Sequence, residues 1–302
     1  MANGKGPHYN VLLFGVPTGQ SDPIVAAKIC RSPAHSWTLR TEYTYLTAVW
    51  QMLGLEAKGR VPYPLALGEF DNNLIFLMEF CEGRDLLPTL HTIWDDPHAL
   101  RSIFSDVARA LRYLHNKTIN TDCPGKPMSN FASQAAAFQL LFKLTDDEVS
   151  HLEGLANLIA EKNAAAQACI LIQGDFWPSN IIQRNRSEDI TLIDWQSARW
   201  SPDASQDVYL FPLTCSMQMC KGVPEQQAAN SVRVLKKWQT SLLPAYLAAY
   251  GAPEGYSLLP VREGLLACCV EMATRSYLSF GLCQADGLLW HRLFSELCEN
   301  YN

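Results

Sequence analysis

The chain has 302 residues, a formal net charge of −6, 48% hydrophobic and 18% charged residues, enough to bury a large core in one two-lobed unit or in two domains. The acidic balance, with no basic run longer than Lys236-Lys237, argues against a nucleic-acid surface. No apolar stretch reaches the roughly 20 residues of a membrane span, and residues 1–7 are too polar for a signal peptide.

Two apolar runs open the chain, residues 8–13 and 24–29, separated by a segment rich in Gly and Pro; they read as a hairpin with a long loop. The second run contains Val25-Ala26-Ala27-Lys28. Leu39, Tyr43, Leu46, Trp50 and Leu53 then recur at helical spacing and predict an amphipathic helix. Glu42 lies on the same stripe. A carboxylate aimed into packed surface needs a partner, because an unpaired buried charge costs several kcal/mol or neutralises itself, and Lys28 on the neighbouring strand is the natural candidate. Residues 74–80 read as a buried strand ending at Glu79-Phe80-Cys81-Glu82-Gly83, and a boundary is expected near residue 82.

Asp96-Pro97 is a helix start, Asp capping free amides and Pro suiting the first turn. Leu100, Ile103, Phe104, Val107, Leu111 and Leu114 continue the helix to His115, which is read as a helix-end residue. Residues 117–130 predict an irregular connection, followed by helices at about 131–143 and 146–164. After Asp207 the chain reads as helical, with starts near Pro224 and Pro260. Trp238, Tyr246, Tyr250, Tyr277, Phe280 and Trp290 there are expected mostly in the core. The ten cysteines are scattered without a C-x-x-C pair, a pattern expected of buried free thiols in a reducing cytoplasm rather than of zinc ligands or disulfides.

The most specific feature lies at 173–195: Gln173-Gly174-Asp175-Phe176-Trp177-Pro178-Ser179-Asn180, then Thr191-Leu192-Ile193-Asp194-Trp195. Apolar runs at 168–172, 181–182 and 190–193 predict short strands that hold three polar side chains at loop mouths. An aspartate, an asparagine five positions on and a second aspartate fourteen beyond that form the spacing kinases use around Mg·ATP.

Together with Pro-x-Ala-Ser-x-Asp at 202–207, this pattern resembles the aminoglycoside phosphotransferase-like family, kin to choline kinases and other small-molecule kinases. The resemblance implies an α+β, two-lobed protein-kinase-like fold. A small, shortened antiparallel N-lobe with the hinge at its end would occupy residues 1–82, and a larger, mostly helical C-lobe residues 83–302. It implies ATP and Mg²⁺ as cofactors and a small-molecule hydroxyl as acceptor. By the same resemblance Asp175 is the catalytic residue, Asn180 and Asp194 the metal ligands, and Lys28, held by Glu42, the contact to the phosphates. Glu79, Phe80 and Cys81 would meet adenine through their backbone, Gly4 and Gly6 would cover the phosphates, and Asp207 would brace the catalytic loop.

The chain departs from the family pattern at Gln196, where many relatives have Glu after Asp-Trp, and in two further places. Gln173 stands where the family has His, and little chain precedes the first strand. These departures keep a second reading open, a pseudokinase-type module that binds nucleotide or metabolite without transfer. From Ser201 onward nine acidic residues face seven basic ones, so no strongly acidic surface suited to polycationic aminoglycosides is evident, and the aromatic content there favours a partly apolar acceptor.

Overall fold

The computed structural model describes residues 10–122, 131–184, 190–280 and 285–301, without the side chains of 276–280 and 285–286. Strands β1 (Val11–Gly15), β2 (Val25–Ile29), β3 (Pro64–Phe70) and β4 (Asn73–Glu79) form an antiparallel sheet in the order β1-β2-β4-β3. The expectation of a first strand over 8–13 is met from Val11; residues 1–9, Gly4 and Gly6 among them, lie outside the described residues.

Strand β4 buries Leu74, Phe76 and Met78 on one face, as the two-residue period of a pleated strand requires. Residues directly opposite on neighbouring strands share a face, so the pairing of Lys28 with Phe76 points Lys28 to the buried side. Helix α1 (Ser36–Leu53) covers that side, with Tyr43 edge-on to Phe76 at 5.7 Å. Its buried stripe is Leu39, Glu42, Leu46, Val49 and Leu53. Tyr43 and Trp50 sit at the margin instead, where the Trp50 indole donates to the Pro62 carbonyl at 3.0 Å.

Strand β3 has no clear signature in the sequence. Its outer residues are largely exposed, so burial periodicity is weak. The hairpin is set by its turn. Asp71 and Asn72 have φ of 49° and 59°, the left-handed pair that a two-residue turn between twisted strands demands, and Asp and Asn tolerate it better than most residues.

Two short elements follow, β5 (Arg84–Asp85) and helix α2 (Leu86–Ile93). Helix α3 (Pro97–Lys117) starts as expected: the Asp96 carboxylate accepts from the N–H groups of His98 and Ala99 at 2.9 and 3.0 Å. Helices α4 (Phe131–Leu141) and α5 (Asp146–Ala165) lead to β6 (Ile170–Ile172), and a capping box of Thr145 and Glu148 opens α5. Strands β7 (Ile181–Gln183), β8 (Ile190–Leu192) and β9 (Arg199–Ser201) precede the last helices, α6 (Ser205–Met219), α7 (Pro224–Gln239), α8 (Leu242–Tyr250), α9 (Val261–Phe280) and α10 (Ala285–Asn300). Among the described residues no helix is long and apolar enough to cross a membrane.

The chain divides into two compact units: residues 1–92 with 173–199, and 93–172 with 200–302. The expected boundary at 82 placed the whole motif segment with the helical part; 173–199 instead packs with the first unit. Backbone and side-chain bonds explain why. Strand β5 pairs with β7, which pairs with β8. The N–H of Leu192 donates to the Arg60 carbonyl at 2.7 Å and the Thr191 hydroxyl to that of Gly59 at 2.5 Å.

The second unit is built on aromatic packing. Phe104 of α3 lies 4.9 Å from Phe211, 5.3 Å from Trp238 and 5.8 Å from Tyr246 between ring centroids. Trp238, Tyr246, Tyr250 and Trp290 are all buried; the side chains of Tyr277 and Phe280 lie outside the described residues. The four described members of that set are thus core residues. His115 is more than a helix-end residue. It is fully buried, with Nδ1 2.8 Å from the Tyr250 hydroxyl and Nε2 3.4 Å from the equally buried Asp207.

Not every cysteine is the free thiol that the spacing predicts. Cys30, Cys81, Cys215, Cys220, Cys268, Cys269 and Cys298 are free thiols, but Cys169, buried beside β6, is disulfide-bonded. Scattered spacing carries no information on which residues the fold brings together.

Phe104→Ala removes the ring shared by three aromatic neighbours and should cost about 3–5 kcal/mol of stability, against less than about 1.5 kcal/mol for a well-repacked Leu. Urea unfolding of the two variants measures the difference.

Candidate active site

Lys28 is the residue around which the first unit's polar groups converge. Its ammonium donates to Glu42 Oε1 and Oε2 at 2.7 and 2.8 Å and to Asp194 Oδ1 at 2.9 Å. Glu42 has no solvent exposure, and the Lys28 and Asp194 side chains retain 13% and 29%. The partner inferred for Glu42 from its place on the helix stripe is thus found, and Asp194 is added to it.

Burial works to lower the Lys28 pKa, but the carboxylates of Asp194 and Glu42 outweigh it and hold the ammonium above the ordinary lysine range. Burial pushes the Glu42 carboxyl upward, opposed by the Lys28 ammonium and the Trp195 N–H. That N–H donates to Glu42 Oε1 at 3.2 Å, so one carboxylate ties helix α1 to the strand β2 and to the backbone after β8.

Asp194 follows β8 in a left-handed conformation, φ 61°, uncommon for any residue with a side chain beyond hydrogen. The neighbours fix it by packing and bonding: Trp195 is fully buried, its indole donating to the Leu192 carbonyl at 3.0 Å. The N–H of Ile193 donates to the Asn180 carbonyl at 2.9 Å, so the asparagine loop and the aspartate loop are bonded to each other directly.

Asp175 sits in a tight turn after β6. Gly174, with φ 77°, makes the turn possible; a Cβ there would meet the Ser197 carbonyl oxygen at 2.4 Å. Asn180 Nδ2 donates to the Asp175 carbonyl at 2.8 Å and to its carboxylate at 3.2 Å. A carboxylate receiving an amide N–H stays oriented, and the asparagine is anchored by its nitrogen end. Gln173 completes the loop from beneath, accepting from the Asp175 N–H at 2.7 Å.

The donor set suits Mg²⁺. With Asn180 Nδ2 committed to Asp175, its Oδ1 is left for a cation, and the Lys28 bond takes one oxygen of Asp194. Among the described residues no three His, Cys, Asp or Glu side chains cluster as for an all-protein metal cage. Two hard oxygens without such a cage is the set Mg²⁺ uses when phosphates and water complete its shell.

Glu79, Phe80 and Cys81 lie at the end of β4. The Glu79 N–H donates to Tyr63 O at 2.9 Å and its carboxylate accepts from the Tyr63 N–H at 3.2 Å. The Phe80 N–H is spent on the Ile24 carbonyl at 3.0 Å, and its ring packs edge-on to Phe14 at 5.4 Å. Burial, with the nearby Glu79 carboxylate, pushes the Cys81 thiol up to about 12, so the thiol is neutral and unreactive at physiological pH.

The sequence matches the phosphotransferase enzyme family over residues 27–259, a span that holds Lys28, Glu42, Asp175, Asn180 and Asp194. No curated protein gives a significant match. Among solved structures, aminoglycoside phosphotransferase APH(3'')-Id from Streptomyces rimosus is 16% identical with a TM-score of 0.55, the alignment covering 96% of this chain and 94% of that one. The same enzyme in complex with ADP and streptomycin is 17% identical with a TM-score of 0.55, over 91% and 88%. A protein assigned as a fructosamine-3-kinase from Thermobifida fusca is 14% identical with a TM-score of 0.53, over 96% and 92%. At these identities the likeness to solved structures is one of fold, the two-lobed protein-kinase-like fold. By the match over most of its length, the chain belongs to the phosphotransferase enzyme family of aminoglycoside phosphotransferase-like small-molecule kinases.

Proposed function

We propose that this protein is an ATP-dependent phosphotransferase that moves the γ-phosphoryl group to a hydroxyl of a small molecule. One observation carries the reading: Lys28, Asp194 and the fully buried Glu42 form one ion-pair network, and Asn180 bonds both to Asp175 and, through its carbonyl, to the backbone before Asp194. These are the residue types, in one connected set, that phosphoryl transfer uses.

In this reading the Asp175 carboxylate orients the acceptor hydroxyl and takes its proton as the new O–P bond forms and the bond to the ADP oxygen breaks. The transition state is loose, so alignment by Asn180 and the Gly174 turn matters more than a strong base. All three Lys28 donors are engaged by Glu42 and Asp194. On nucleotide binding the Glu42 bonds would hold the ammonium in place while the Asp194 bond exchanges for a phosphate oxygen.

Asn180 and Asp194 would hold Mg²⁺, which when bound offsets the phosphate charge. The backbone of Glu79, Phe80 and Cys81 would meet adenine, the Cys81 N–H being the donor because that of Phe80 is spent within the sheet.

Release of ADP from Mg·ATP over pooled alcohols, amines, sugars and aminoglycosides, streptomycin included because a fold relative is known with it, tests the proposal. One pool should stimulate turnover, and Asp175→Asn should lower that rate about 10²–10⁴-fold while still binding nucleotide. Silence from every pool, with Mg·ATP bound, would establish the binding-module reading instead.

Lys28→Ala should raise the KM for ATP and, by leaving Glu42 buried without its partner, cost about 3–5 kcal/mol of stability. Adding Glu42→Ala should restore much of the melting temperature without restoring ATP use; an unchanged KM in the single variant would remove Lys28 from the site.

A further inference from the structure

Gln173, the residue that departs from the family pattern, bonds to the backbone of both functional aspartates. Its side chain is fully buried. Oε1 accepts from the Asp175 N–H at 2.7 Å, and Nε2 donates to the carbonyls of Ile193 and Asp194 at 2.9 and 2.8 Å. The two ends of the carboxamide are not interchangeable. Reversed, its oxygen would face two carbonyl oxygens and its NH₂ an N–H group.

The two carbonyls it grips lie on either side of the Asp194 α-carbon. One belongs to the peptide plane before Asp194 and the other to the plane after it, so a single NH₂ group fixes both backbone torsions of that residue. Asp194 is one of three non-glycine residues with positive φ among those described, and the other two form the exposed Asp71-Asn72 turn. A left-handed residue persists where its surroundings over-determine it, and Gln173 supplies that constraint while holding the Asp175 loop with its other end.

We propose that Gln173 is a positioning residue that sets the Asp175 and Asp194 backbones relative to each other, and that glutamine serves this chain better than histidine would. The inference rests on the reading of Asp175 and Asp194 as catalytic and metal-binding residues. The position requires one acceptor and two donors. A neutral imidazole offers one of each, and an imidazolium offers two donors with no acceptor; a carboxamide supplies all three. The substitution away from the family residue is thereby a gain in hydrogen bonding, and restoring histidine leaves at least one buried group without its partner.

Three variants separate the roles. Gln173→Glu keeps the shape and the acceptor but loses both donors, Gln173→Leu loses every bond at similar volume, and Gln173→His restores the family residue. The probe is a non-hydrolysable ATP analogue, titrated by calorimetry with Mg²⁺ and with EDTA, alongside thermal melting. Gln173→Glu and Gln173→Leu should weaken the Mg²⁺-dependent affinity about 10–100-fold, the usual effect of losing an outer-shell partner of a metal ligand, with the EDTA affinity unchanged. Gln173→His should fall between them and wild type.

With the acceptor in hand, kcat should fall in the same order while the KM for the acceptor holds. A packing role alone would lower the melting temperature and leave the Mg²⁺-dependent gain intact, which would overturn the proposal, as would a histidine variant equal to wild type. If Gln173→Leu does not fold, the Glu and His variants decide. A wild-type protein that gains no affinity from Mg²⁺ defeats the phosphotransferase reading itself; one that gains it equally in every variant defeats the positioning role alone.

Discussion

A buried ammonium must be surrounded by opposite charge, and much of the first unit's architecture follows from that demand at Lys28. Removed from water, a lone charge costs several kcal/mol even after relaxation. Here two carboxylates answer it from different parts of the chain, Glu42 on helix α1 and Asp194 after strand β8. Satisfying the charge therefore fixes a strand, a helix and a loop relative to one another. The sheet register enforces the same geometry: Lys28 pairs with Phe76, whose face α1 covers.

The second constraint is backbone bonding around two short loops. Asp175 and Asp194 sit on turns that ordinary side chains resist, one allowed by Gly174 and the other held left-handed by its neighbours. Asn180, Gln173 and Trp195 bond to peptide groups in these loops rather than to open solvent. The polar groups of the two loops are thus held in place by hydrogen bonds to the backbone. The helical unit is organised differently, by aromatic packing around Phe104 and a buried His115–Tyr250–Asp207 group.

Much of this was legible before any coordinates. Glu42 on an apolar helix stripe demanded a cation, and Lys28 was the one within reach; the distances agree with that reading. Asp96-Pro97 announced a helix and caps one. The spacing from Asp175 to Asp194 pointed to the chemistry of the family that the chain belongs to. Other features left no readable mark. Strand β3 exposes most of its outer residues, so its periodicity is faint, and its turn became recognisable only with both φ angles positive. The stripe of α1 ran through Val49 rather than Trp50, because an indole with a hydrogen bond to satisfy settles at the margin of a core. Cys169 showed no sequence sign of its disulfide, since pairing depends on spatial approach.

The sequence by itself determined the residue types and their order: which side chains can carry charge into the interior, which turns need glycine, and which helices have an apolar face. Those are local properties, set by side-chain chemistry and by periods of two and 3.6 residues. The tertiary structure decided what they meet. It placed 173–199 with the sheet rather than with the helices that follow it, gave Lys28 a second carboxylate, and turned Gln173 from an apparent defect into a three-bond link between two loops. Each of these depends on long-range contacts between segments far apart in sequence, and a hydrogen bond has direction and reach that composition and spacing do not encode.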